Sequence, residues 1–88
     1  MANKERINKL IAILEKVKKF DMNCEDTCVV GIATKQIGKR KLDDVFYGGD
    51  VRWFGKYFGL EYATAMHLYE NFYATKEQVI NTLKRLAK

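Results

Sequence analysis

Apolar residues recur at intervals of three and four near both ends of the chain, and the middle is apolar but less regular. Near the start, Ile7, Leu10, Ile11, Leu14 and Val17 fall on one helical stripe, which Ile13 and Phe20 widen. The spacing predicts a helix over 4–19. Asn3 is placed to cap it, and Lys16, Lys18 and Lys19 fall in its last turn, where cations suit the helix dipole. Near the end, Thr75-x-x-Gln78 has the form of a capping box, in which hydroxyl and side-chain amide each take a backbone N–H. Val79, Ile80, Leu83 and Leu86 then form the buried stripe of a last helix, with Lys84, Arg85 and Lys88 at its basic end.

Between these two, the polar stretch 21–27 breaks the pattern, and Asp26 or Thr27 is placed to cap the next helix. The segment 28–37 reads two ways. As a helix it puts Cys28, Val29, Ile32, Ala33 and Ile37 on one face and ends at Gly38. As a strand its β-branched residues could pair with 42–47 through a turn at 38–41. The helix is preferred. Residues 38–49 read as a long loop closed by Gly48-Gly49, with Asp50 as the next N-cap. Val51, Phe54, Tyr57 and Phe58 share a helical face with Trp53 beside it, and Gly59 followed by Leu60 matches a Schellman stop. Tyr62, Ala65, Met66, Tyr69 and Phe72 then repeat the spacing, so 51–73 reads as two helices hinged at Gly59.

The expected fold is therefore all-α, a bundle of four to five short helices whose terminal members clasp aromatic-rich middle ones. The alternative is α+β, with a small hairpin within 28–47. Composition agrees with a folded chain: 88 residues, 48% apolar and 12% aromatic, with no proline to break a helix. The six glycines all lie between 31 and 59. No linker, repeat or low-complexity tract divides the sequence, so 1–88 reads as a single helical domain. No apolar run approaches the roughly 20 residues that span a membrane. The charged first turn (Lys4, Glu5, Arg6) is unlike a signal peptide, so a cytoplasmic protein is expected.

Candidate chemistry is sparse. Cys24 and Cys28 are too few for a disulfide framework and read first as structural thiols. A metal site would need further donors, and His67 with a carboxylate, or a second copy of the cysteine pair, could supply them. No such set is expected, nor any cofactor. His67 falls off its apolar stripe and has no orienting partner in a recognisable motif, so no enzyme is expected. Gly48-Gly49-Asp50 lacks the phosphate-loop and dinucleotide spacings.

Charge adds one feature. Sixteen basic and eleven acidic residues give a net charge of +5. Lys39, Arg40 and Lys41 are consecutive, and Arg52 and Lys56 lie one turn apart. With Phe46, Tyr47, Trp53 and Tyr57 nearby they form a candidate surface for nucleic acid or a protein partner. Against this, aromatics at helical spacing usually belong to a core.

Several short segments together resemble a family. They are Cys24-x3-Cys28-Val-Val-Gly31-x-Ala33, Phe58-Gly59-Leu60, the stretch around Leu68, Tyr69 and Phe72, and Thr75-x-x-Gln78-Val79 with its closing helix. This set resembles a family of small uncharacterised proteins scattered through bacteriophages and bacteria. Ile32 stands where that family often has an aromatic, and Phe58 replaces the first leucine of its Leu-Gly-Leu turn. The resemblance implies helical packing, with Gly31 and Ala33 letting a neighbour approach, and a phage or mobile-element origin. It transfers no catalytic residue. The expected function is a non-enzymatic interaction protein that binds a host protein and modulates it. Nucleic-acid binding and a homo-oligomer seamed by the terminal helices are the alternatives.

Overall fold

The computed structural model describes residues 2–24, 27–39 and 47–88, apart from the Tyr47 side chain. Five helices lie along them: α1 (Lys4–Lys16), α2 (Val29–Gln36), α3 (Tyr47–Phe58), α4 (Tyr62–Glu70) and α5 (Lys76–Leu86). The described residues contain no strand. The all-α reading holds. The hairpin alternative fails at its first strand, because 29–36 is α2, while residues 42–46 of its second lie outside the described set.

Local signals set several helix ends. Asn3 Oδ1 accepts the Arg6 N–H at 3.0 Å and caps α1. Both bonds of the Thr75–Gln78 box are made, at 3.2 and 3.0 Å. Gly59 takes φ 70°, the left-handed backbone that glycine adopts without a Cβ penalty. Leu60 N–H then reaches the Gly55 carbonyl at 2.7 Å, which is the six-to-one bond of a Schellman motif.

Four expectations are corrected. α1 ends at Lys16, not at 19, because Val17 turns extended. Its carbonyl there accepts the Lys76 ammonium at 3.0 Å, tying the end of α1 to the start of α5. Asp50 is no N-cap: α3 starts three residues earlier and takes in Gly48 and Gly49. Asp50 sits buried in the first turn, where a carboxylate suits the dipole. Thr27 does not cap α2, and Asp26 lies outside the described residues; the cap is Cys28. Phe72 is not on the buried stripe of α4, which stops at Glu70 and leaves Phe72 exposed.

One core joins all five helices. α1 contributes Ile7, Leu10 and Leu14 with no exposure, each worth about 1.5–3 kcal/mol on burial. The tightest pairings are α1 with α5 and α3 with α4, while α2 fills in against α3. The terminal helices thus pack on each other more than they clasp the middle ones. Gly31 and Ala33 are both buried. The radius of gyration is 11.5 Å, against about 12 Å for a folded chain of this length.

Candidate functional site

α1 docks onto the end of α3 through polar contacts. Asn3 N–H donates to the Phe58 carbonyl at 2.8 Å. The Arg6 guanidinium donates to the Tyr57 carbonyl at 2.9 Å and lies over the Tyr57 ring at 4.2 Å. Carbonyls that would otherwise be orphaned at the end of α3 are thereby paired, one of them with a cation. Tyr57 also stacks on Trp53 at 5.3 Å. Both rings are half-buried, so these two of the four candidate rings pack within the protein, as aromatics at helical spacing usually do.

The basic candidates divide. Arg52 and Lys56 are brought together: both are exposed on α3 and line a shallow cleft of about 380 Å³ with Gly55, Leu60 and Tyr62. Lys39 comes after α2 and is exposed with φ 50°, an uncommon backbone for a lysine. It neighbours Gly38, which abuts Trp53, one row round α3 from Arg52 and Lys56. Arg40, Lys41 and Phe46 lie outside the described residues, as does the Tyr47 side chain. The ring that does stand beside the cations was not anticipated. Tyr62 is 47% exposed, and the Arg52 guanidinium lies 5.6 Å from its centroid. The Gly59 turn, the hinge that the sequence predicts between the two helices, puts it there.

A second concavity of about 420 Å³ opens between α4 and α5. Leu68, Ala74, Val79 and Leu86 supply its apolar part, and His67, Asn71, Gln78 and Thr82 its polar part. His67 is exposed here, as its place off the stripe predicts. Past the end of α4, Phe72 is 45% and Tyr73 92% exposed. Periodicity had placed Phe72 in the core, so this surface was missed; the signal available was Asn71, a residue suited to ending a helix.

Three sulfur residues, Met22, Cys24 and Cys28, lie just before α2. Cys24 is an exposed thiol and Cys28 a buried one. Cys28 Sγ accepts the Gly31 N–H at 3.3 Å, and Met22 Sδ accepts the Val29 N–H at 3.5 Å. Among the described residues, no three His, Cys, Asp or Glu side chains cluster for a metal, so the set with His67 does not assemble.

Burial pushes the Cys28 thiol above its ordinary value of 9.0; the amides of Gly31 and Val30 pull it back, and Cys24 adds a smaller upward push. The folded chain therefore holds this proton more tightly than the unfolded one. Stability is complete below the unfolded thiol's pKa and falls as pH rises through and beyond it. The melting temperature of the metal-free chain should drop more steeply between about pH 8 and pH 10 than that of Cys28→Ala. Equal slopes would mean that the thiol is as well solvated in the fold as in the unfolded chain.

Comparison with protein-family models, curated proteins and solved structures found no match to this chain.

Proposed function

We propose that this chain is a small non-enzymatic interaction protein of phage or mobile-element origin, which binds a host protein and modulates it. The observation that carries this reading is the α4–α5 cleft, with the exposed rings of Phe72 and Tyr73 beyond the end of α4. Adjacent exposed aromatics next to an apolar, polar-rimmed hollow are the composition of an interface core. No described helix is long and apolar enough to cross a membrane. The apolar stripes of α1 and α5 pack on each other inside one chain, so they support a homo-oligomer less than the sequence suggests.

A second reading, nucleic-acid binding, has its own support in Arg52, Lys56 and Tyr62 lining one cleft. Two cations beside an exposed ring suit a phosphate and a stacked base. A single experiment separates the two. The chain, a Phe72→Ala/Tyr73→Ala variant and an Arg52→Ala/Lys56→Ala variant are used as bait in bacterial lysate, with and without nuclease. A protein retained after nuclease and lost only with the ring variant supports the host-protein reading. Capture that nuclease abolishes, and that the Arg52/Lys56 variant loses, replaces it with the second.

A further inference from the structure

We propose that Met22, Cys24 and Cys28 form a three-sulfur site for a soft monovalent metal ion, of the copper(I) or silver(I) kind, at the start of α2. Hydrogen bonds already tie residues 21–24 to 27–28 before any metal arrives. Asp21 N–H donates to the Thr27 carbonyl at 3.1 Å, and the Asp21 carbonyl accepts the Cys24 N–H at 3.1 Å. Asp21 Oδ1 accepts the Asn23 N–H at 2.8 Å, and the Thr27 hydroxyl donates to the Asp21 carbonyl at 3.3 Å. The Cys28 N–H donates to the Cys24 carbonyl at 2.9 Å, which brings the backbones of the two cysteines together.

Two of the sulfurs are held by the same turn of α2. Met22 is 3% and Cys28 2% exposed, and each sulfur accepts an amide from the first turn, those of Val29 and Gly31. Cys24 is exposed, which gives an incoming ion a first thiol in solvent. Two thiolates and a thioether are a soft donor set, the kind that selects copper(I). A thioether suits zinc poorly, because zinc is held by cysteine, histidine and carboxylate ligands. Binding replaces both thiol protons, which leave to solvent, and no electron is transferred. Two thiolates around a monovalent ion carry one net negative charge, and the Gly31 N–H of α2 already points at Cys28 Sγ, one of the two sulfurs that would bear it.

The test is an anaerobic titration of the reduced full-length chain with silver(I), a probe that does not change oxidation state. Ultraviolet charge-transfer absorption and native mass spectrometry track the uptake. The expected result is one ion per chain with release of both thiol protons. Cys24→Ser, an exposed change that leaves the core intact, should abolish tight binding. Met22→Leu keeps the buried volume and should weaken binding by at least the roughly 10–100-fold that even outer-shell partners of a metal contribute. Binding that survives Met22→Leu unchanged overturns the three-sulfur site. So does an ion that bridges two chains through Cys24, or no uptake at all.

Discussion

Replacing Phe58 by alanine is expected to cost about 3–5 kcal/mol, the range for emptying a buried phenylalanine site. Phe58 has no solvent exposure. Its ring centroid lies 4.7 Å from Phe54, 5.0 Å from Tyr57 and 6.4 Å from Trp53. Removing it takes away the common neighbour of the aromatic cluster. The void opens beside Phe54, itself fully buried, so water cannot fill it on good terms. Relaxation is restrained because the Phe58 carbonyl is held by Asn3 and the next residue is the left-handed Gly59. A chain of 88 residues has a total stability on the order of 4–13 kcal/mol at about 0.05–0.15 kcal/mol per residue. The variant therefore loses a large share of it. Urea unfolding monitored by circular dichroism reads the cost. Tyr73→Ala, at a side chain 92% exposed, is the control and should stay within about 0.5 kcal/mol. Equal midpoints for the two variants would remove the end of α3 from the core.

What could be read ahead of the structure is what a residue does to neighbours three or four positions away. Asn3, the Thr75–Gln78 box and the Gly59 stop are all of this kind, and all are present. The pairing of Arg52 with Lys56 is also local, being one helical turn. Features set by distant partners were not legible. Tyr57 reads as a face residue of its helix, and nothing near it in sequence says that Arg6, 51 positions away, covers its ring. α1 looked three residues longer because Lys76, which takes the Val17 carbonyl, belongs to the other end of the chain. Gly48-Gly49 looked like a break, yet α3 runs through both. Two glycines cost a helix about 1 kcal/mol each relative to alanine, a cost that the fully buried Val51, Phe54 and Phe58 of the same helix exceed. Met22 was passed over as part of a polar stretch, since periodicity does not register a single buried sulfur between two elements.

The second large effect is expected at Gly38, where alanine should destabilise the fold by about 1–3 kcal/mol, the usual cost of forcing a methyl into a filled space. A Cβ there would stand 2.8 Å from the Thr34 carbonyl oxygen and 3.0 Å from Trp53 Cζ2. The carbonyl belongs to the α2 backbone, and Thr34 is fully buried with its hydroxyl bonded to Val30 at 2.8 Å. It cannot retreat without unwinding the last turn. The indole can move only by leaving its stack on Tyr57. The two glycines at helix ends should then respond differently to asparagine. At Gly59 the requirement is a positive φ, which asparagine tolerates better than alanine, so Gly59→Asn should recover part of the stability that Gly59→Ala loses. At Gly38 the requirement is empty space, so Gly38→Asn should be no better than Gly38→Ala. Trp53 is the sole tryptophan, and its fluorescence during urea unfolding reports both stability and the displacement of the ring. A Gly38→Ala chain with unchanged midpoint and emission would show that α2 and α3 meet more loosely here than 3.0 Å implies. A shifted emission with a lowered midpoint would fix this contact as the place where α2 is locked onto α3.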